Sequence, residues 1–246
     1  MAVVALPGVA HAAAAGADRV WCAIGDRLLA YSPEGEPRGE APAPDRVLSL
    51  AAASNVLAAA LEPGIVAWLD PQSGDERTRV PAGSEPEVGA GGGAIWVVAD
   101  GRARRLAAEG LLGPAVEVGA VDRFAPDGER LWWTSGTRLH GGPQPVELGG
   151  RGPLVACAGS VWASIGDRLV RVGAWDGEPG LPIDAPPAEG LACAGGVLVG
   201  TRFVLNPSID AGVRAIEPLE GRLVATREVA WAFSRERPEA TLLRVR

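Results

Sequence analysis

Charged and polar residues recur at one position of this chain, each just ahead of a short run of small and aliphatic residues. The position is occupied by His11, Arg46, Glu87, Arg123, Pro153, Glu189 and Arg222. Six of the seven are polar, and the set combines three Arg, two Glu and one His. Because a guanidinium group presents a planar fork of donors that matches a carboxylate, this set could bind a carboxylate, a zwitterion or a charged peptide tail. We take the six polar residues as candidate binding residues. The alternative is that their charges pair with one another around a solvated rim.

A series of regularly placed tryptophans, here called the column, indicates which strands must position these residues. Five of the eight tryptophans follow an aliphatic or Ala residue and precede a short polar turn: Trp21, Trp96, Trp132, Trp162 and Trp231. Leu57 and Leu198 fill the two gaps, and the column then advances in steps of 30 to 39 residues. The candidate binding residues lie nine to eleven residues ahead of it. Seven nearly even steps that use the whole chain are typical of a repeat architecture.

Each repeat predicts four short strands separated by Gly-containing turns, and no window shows a helical period. This is the pattern of a propeller blade. We therefore predict a single all-β domain, a seven-bladed β-propeller with four-stranded antiparallel blades. The predicted blades cover approximately residues 9–44, 45–83, 84–119, 120–150, 151–187, 188–221 and 222–246, with residues 1–8 completing the last one. Such a closing strand removes the open sheet edges that would otherwise promote aggregation.

In such a ring, the loops that lead into the innermost strands meet at one end of the central channel. The candidate binding residues are therefore predicted to form the rim of that channel. The loops between second and third strands add Asp26, Arg27, Asp100, Arg102, Asp167, Arg168 and Arg202 to the same surface. Two further features are predicted to be accessible and could anchor a partner: Trp175, in a turn, and the charged insertion at residues 234–240.

Composition excludes several classes of function. The chain has 246 residues, of which 47% are hydrophobic, and a net charge of −7, which describes an acidic soluble domain and does not favour nucleic-acid binding. All 23 basic residues are Arg, so a Schiff-base lysine and a Walker A loop are excluded. No apolar run reaches the roughly 18 residues of a membrane helix. We expect no nucleic-acid or membrane partner, no metal and no cofactor.

The three cysteines, Cys22, Cys157 and Cys193, have no C-x-x-C spacing, and their number is odd. A disulfide framework would use an even number, so we predict three buried thiols in a reducing compartment. The N-terminal stretch lacks the basic region of a signal peptide. These observations predict a cytoplasmic protein, and we expect it to be a monomer on its own.

Local motifs carry a resemblance to known propellers. Residues 124–134, Phe-Ala-Pro-Asp-Gly-Glu-Arg-Leu-Trp-Trp-Thr, resemble the repeat of the virginiamycin B lyase-like family, and residues 65–74 and 93–97 are similar to YVTN and quinoprotein-like repeats. The resemblance implies a propeller fold. For the lyases it also implies a His general base, with carboxylates holding a Mg²⁺ ion near the central opening. His11 lies near the place of such a base, whereas His140 follows the third strand of another blade.

Three functions are compatible with these residues. The absence of nucleophile, metal and cofactor motifs favours a non-enzymatic binding module, an adaptor or recognition propeller that docks a protein or peptide at the channel rim. One alternative is a virginiamycin B lyase-like or other enzyme in the channel. Another is a sensor that binds a small carboxylate or zwitterionic ligand at the same residues.

Overall fold

The fold consists of short β-strands arranged in a ring of small sheets. The computed structural model describes residues 1–53, 55–107, 109–208 and 212–245. Within these ranges it contains 28 strands in seven four-stranded antiparallel sheets, and no helix. None of the described residues forms a helix of the length and apolarity needed to span a membrane.

The strands follow one another in groups of four after a single N-terminal strand, β1 (Ala2–Ala5). Blade 1 has β2 (Ala12–Ala15), β3 (Val20–Ile24), β4 (Arg27–Tyr31) and β5 (Pro37–Pro42). Blade 2 has β6 (Val47–Ala53), β7 (Val56–Leu61), β8 (Ile65–Leu69) and β9 (Glu76–Pro81). Blade 3 has β10 (Glu87–Gly91), β11 (Ala94–Ala99), β12 (Arg102–Leu106) and β13 (Val116–Glu117). Blade 4 has β14 (Arg123–Asp127), β15 (Arg130–Ser135), β16 (Arg138–His140) and β17 (Val146–Glu147).

The remaining blades repeat this order. Blade 5 has β18 (Leu154–Cys157), β19 (Ser160–Ile165), β20 (Arg168–Gly173) and β21 (Ile183–Asp184). Blade 6 has β22 (Leu191–Ala194), β23 (Val197–Gly200), β24 (Phe203–Leu205) and β25 (Val213–Ala215). Blade 7 has β26 (Arg222–Ala225), β27 (Val229–Phe233) and β28 (Glu239–Arg244), and β1 is its outer strand.

The first strand of every blade contacts the first strand of the next, and β26 of blade 7 contacts β2 of blade 1, so the ring closes. β1 pairs antiparallel with β28, with Val3 opposite Thr241. The seven-bladed β-propeller predicted from the repeat, including its closure by the N-terminal strand, is confirmed. Because β1 pairs along the outer edge of β28, the last blade has four strands, as the other six do.

The core is divided among the junctions between blades. Among the described residues, seven hydrophobic clusters each combine side chains from two neighbouring blades, one cluster for each of the seven junctions. The five column tryptophans lie in second strands and face the following blade. The indole Nε1 of Trp21, for example, donates to Pro71 O of blade 2 at 3.2 Å, and that of Trp231 donates to Pro33 O of blade 1 at 3.1 Å. The indoles therefore pack between neighbouring blades and hold them together.

The two leucines assigned to the column are off by one residue. Each column tryptophan pairs with the first-strand residue seven positions earlier, as Trp21 does with Ala14. Leu57 and Leu198 are fully buried in second strands, but they pack against the preceding blade rather than the following one. In blades 2 and 6, the residues that pair with a first-strand residue seven positions earlier are Ala58 and Val199. A shift of one residue moves a strand side chain to the opposite face, so the spacing alone did not reveal the error.

The prediction of three thiols is wrong. Cys157 and Cys193 form a disulfide, with Cα atoms 5.4 Å apart, and only Cys22 is a free, buried thiol among the described residues. The two bonded cysteines are 36 residues apart, about one repeat, so they occupy neighbouring innermost strands, β18 and β22. The inference of a reducing compartment rested on the three thiols and loses that support.

Candidate functional site

The rim residues lie where the innermost strands begin. His11, Arg46 and Pro153 immediately precede β2, β6 and β18, whereas Glu87, Arg123 and Arg222 are the first residues of β10, β14 and β26, and Glu189 lies two residues before β22. We call this end of the channel the front face and the end where these strands finish the back face. Since consecutive strands are antiparallel, the loops between second and third strands also lie on the front face. The structure therefore brings all seven predicted positions to one end of the channel.

Backbone pairing fixes the direction of the rim side chains. Arg123 pairs with Thr134 in the sheet register, and Arg222 pairs with Phe233. Glu189 precedes its strand, but its amide donates to Thr201 Oγ1 at 3.0 Å, and Thr201 is buried. The rim thus stands on the ends of paired strands rather than on free loops.

The charges of rim side chains from different blades act on one another across the channel mouth. Burial raises the pKa of Glu87 above its ordinary value, and Arg123 and Arg222 both act to lower it. Burial lowers the pKa of Arg222, Glu87 opposes that change, and Arg235 adds to it. Glu87 belongs to blade 3 and Arg222 to blade 7, with two blades between them around the ring. Their mutual effect therefore acts across the mouth.

His11 lies between two of these arginines. Burial lowers the pKa of His11 below 6.5, and the positive charges of Arg222 and Arg46 on the adjacent blades lower it further. The imidazole is consequently neutral at pH 7, and it is flanked by cations. The residues around His11 therefore do not fit the Mg²⁺ ion that the lyase resemblance implies, because the neighbouring charges that act on it repel a cation. Within the described ranges, no group of three His, Cys, Asp or Glu side chains could share a metal ion.

Among the described residues, the rim side chains act on one another's charge without forming ion pairs with one another. Arg46 pairs with Glu62, at 3.0 Å, which is not a rim residue. Arg123 donates to its neighbour's carbonyl, Asp122 O, at 2.7 Å. Considering only the part of the chain that the structure describes, no ion pair within 4.0 Å joins two rim residues, so most of the rim charge remains available for a ligand. The alternative of a self-paired rim is not what the structure shows.

Two open depressions flank Glu189 on the front face. The first depression has a volume of about 330 Å³, and its lining includes Asp122, Arg123, Arg151 and Glu189. The second depression has a volume of about 360 Å³, and its lining includes Glu189, Arg202, Glu220, Arg235 and Glu236. Arg235 and Glu236 come from the insertion predicted as a recognition loop, and Arg202 comes from a predicted front-face loop. Sequence reasoning missed Asp122, which immediately precedes the innermost strand of blade 4, and Arg151, which lies three residues before that of blade 5; adjacency to the rim position was the only available signal.

The channel behind the rim has a different lining. A cavity of about 490 Å³ is lined almost entirely by Ala, Gly, Val and Leu from six of the seven innermost strands. Its one charged lining residue among those described is Arg227, at the back face. Polar chemistry is therefore concentrated at the front mouth.

Trp175 is exposed, as predicted, with 86% of its surface accessible. It follows β20 at the back face, remote from the rim. It lies on the opposite face from the two depressions, so it is not included in the candidate site.

Comparison with known proteins identifies the fold only. No family model matches the chain, and no curated protein matches it either. BamB from Moraxella catarrhalis is similar with a TM-score of 0.56 and 16% identity, over 96% of this chain and 83% of that one. A chain of the mitotic checkpoint complex is similar with a TM-score of 0.73 and 12% identity, over 99% and 91% of the two chains. PorZ, a surface component of the type-IX secretion system of Porphyromonas gingivalis, has a TM-score of 0.66 and 14% identity, over 99% of this chain but 38% of its own length.

Proposed function

We propose that this protein is a non-enzymatic binding module that docks a protein or peptide on its front face, at the channel rim. The observation that carries the proposal is the position of Glu87, Arg123 and Arg222 at the start of three innermost strands around the mouth, where their charges act on one another without forming ion pairs. Charged groups that are partly desolvated and unpaired are costly to the isolated protein, and a partner with complementary charges offsets that cost. The proposal requires no cofactor and no covalent step.

The fold is compatible with this role but does not establish it, since propellers host many activities. Two of the similar solved chains come, by their descriptions, from assemblies: the mitotic checkpoint complex and a secretion system. A role in binding protein is in keeping with those neighbours. The specific assignment rests on the rim.

The test is co-purification of a tagged protein from its native host, with quantitative mass spectrometry. Three forms are compared: the natural protein, the rim variant Arg123→Gln/Arg222→Gln, and the back-face control Arg227→Gln. We expect a partner that the natural protein and the control retain equally, and whose recovery falls at least about tenfold with the rim variant, which corresponds to about 1.4 kcal/mol. Equal recovery with all three forms, or loss only with the control, would contradict docking at the rim.

A further inference from the structure

The front face is electrostatically uneven. Blades 4 to 7 carry the two depressions and the rim between them, and their arginines are Arg123, Arg151, Arg202, Arg222 and Arg235. The carboxylates lining the same surface are Asp122, Glu189, Glu220 and Glu236. In a chain whose net charge is −7, this excess of positive charge is local.

Two of those carboxylates are already engaged. Glu220 pairs with Arg237, which lies outside the depressions, at 2.9 Å. Asp122 Oδ2 accepts the amide of Gly136 at 2.6 Å, and its other oxygen lies 3.9 Å from Arg151. Apart from Arg151, which lies beside Asp122, four guanidinium groups therefore share two uncommitted carboxylates in the depressions, Glu189 and Glu236, with Glu87 across the mouth.

Many arginines elsewhere in the chain form ion pairs, although Arg104, Arg214, Arg227 and Arg244 have none within 4.0 Å among the described residues. Arg27, Arg79 and Arg102, for example, pair with carboxylates at 3.1, 2.6 and 2.9 Å. Over the described residues, Arg202, Arg222 and Arg235 have no ion pair within 4.0 Å and no hydrogen bond from the side chain. A guanidinium group offers five donors, so these three side chains leave unused a capacity that suits carboxylate acceptors.

On the other side of the front face, the depression between blades 2 and 3 has the opposite character. Its lining includes Asp45, Glu62 and Glu85. Glu62 pairs with Arg46, the one lining arginine among the described residues, and Asp45 pairs with Arg79 outside the depression at 3.2 Å, so Glu85 is the carboxylate left without an ion pair there. An anionic ligand is therefore favoured over blades 4 to 7 and disfavoured over blades 2 and 3.

We infer that the part of the partner that reaches the front face is an acidic peptide segment, whose carboxylates are held in the first and second depressions on either side of Glu189. This inference rests on the proposed docking function and specifies the chemistry of what docks. Glu189 lines both depressions and separates their arginines. A continuous polyanion would place a charge over Glu189, whereas a peptide can space its carboxylates around it, so the geometry favours a peptide over a nucleic acid.

The experiment is selection from a displayed library of random peptides on the intact protein. The natural protein is expected to enrich Asp and Glu at least about twofold over the unselected library. That enrichment should be lost with Arg123→Gln/Arg151→Gln and with Arg202→Gln/Arg235→Gln, and kept with the back-face control Arg227→Gln. Thermal melts monitored by circular dichroism verify that each variant is folded. The inference would be overturned if the selected peptides were neutral or basic, or if no peptide were selected. It would also be overturned if the four Arg→Gln changes did not affect the selection.

A second measurement uses a selected acidic peptide and fluorescence anisotropy. Glu189→Gln removes a repulsive charge between the depressions, so affinity should rise by about 2- to 5-fold, the effect of one accessible charge. A decrease in affinity would contradict the placement around Glu189. Displacement of the peptide by single-stranded oligothymidylate at equal charge concentration would show a general polyanion site and overturn the peptide assignment.

The inference and the docking function fail in different ways. If a native partner depends on the rim but the selected peptides are not acidic, docking stands and the acidic segment is wrong. If no partner depends on the rim and no acidic peptide is selected, both are wrong.

Discussion

The two ends of the central channel are built from the same strands, but different factors determine their residues. At the back face, blades 3, 5 and 6 join their first two strands by two-residue turns, Gly92–Gly93, Ala158–Gly159 and Gly195–Gly196, and φ is positive at all six residues. Such turns favour glycine because a side chain is strained in the left-handed region. Backbone geometry therefore determines much of the composition at the back face.

At the rim positions of the front face the backbone imposes no such requirement, although the loops between second and third strands on that face also contain positive-φ residues such as Gly25, Asp100 and Gly101. Three rim residues begin extended strands and the other four lie one or two residues ahead of one, and none of the seven has a positive φ, so the backbone does not demand glycine there. Six of the seven positions are nevertheless polar, and rim charges are left without ion pairs to one another. The comparison teaches that backbone geometry accounts for the glycines in the back-face turns but does not account for the polar residues at the rim positions.

The scaffold common to both faces should be the most sensitive part of the molecule. Trp231 is fully buried at the junction of blades 7 and 1, where its ring lies 5.5 Å from that of Phe233. We expect Trp231→Ala to lower the free energy of unfolding by about 3–5 kcal/mol, measured by urea denaturation, because it leaves a large cavity. The matched control, Trp175→Ala, removes an exposed ring and should stay within about 0.5 kcal/mol. Similar values for the two variants would refute the interblade wedge.

The disulfide stabilises the scaffold on the side of the channel away from the rim. Replacing Cys157 and Cys193 together with Ser should lower the free energy of unfolding by about 2–4 kcal/mol, since the bond closes a loop of about one repeat. Binding at the front face should be unchanged. Thermal unfolding of the natural protein with and without reductant provides the control. A reductant that does not lower the unfolding temperature would contradict the bond.

Neutralising the rim should separate binding from stability. Arg123→Gln/Arg222→Gln should change the free energy of unfolding by no more than about 1 kcal/mol, because both side chains are accessible and neither forms an ion pair. The same variant is expected to lose its partner. Denaturation curves compared with those of Arg227→Gln measure the first quantity. A large loss of stability would mean that the rim arginines are structural.

Glu87 should give a small effect that depends on pH. Its pKa is raised in the folded state, so ionisation of its carboxyl group disfavours folding at pH 7, and this cost disappears at low pH, where the carboxyl is protonated in both states. We expect Glu87→Gln to be more stable than the natural protein at pH 7, by less than about 1 kcal/mol for an accessible group, and equal to it near pH 3. Urea denaturation at both pH values tests the sign. A natural protein more stable than the variant at pH 7 would be inconsistent with a desolvated carboxyl.

The sequence was sufficient to predict the ring and the location of its rim. Five tryptophans separated by one or two repeat lengths indicate the blades, and the rim positions follow because antiparallel strands return each first strand to the same end of the channel. Leu57 and Leu198 were misplaced by one residue, since both faces of a second strand are buried and alternation gives no signal there. A pattern that is apolar on both faces does not fix register.

Contacts between distant residues could not be predicted in the same way. The pairing of Cys157 with Cys193 follows from the ring, because one repeat of separation places them on neighbouring strands. The odd number of cysteines, however, argued against a disulfide. The electrostatic link between Arg222 and Arg235 depends on how the last insertion folds back over the mouth, which composition does not specify.

The central claim, that charged side chains from distant blades converge over the front mouth, is tested most directly by NMR titration of His11 and Glu87. In the natural protein we expect a pKa below 6.5 for His11 and above 4.5 for Glu87. Arg222→Gln should raise the pKa of both groups, because it removes a positive charge that acts on each, and Arg227→Gln should leave both unchanged. If the pKa of Glu87 does not respond to Arg222→Gln, the side chains do not meet across the channel and the proposed site is not a single site.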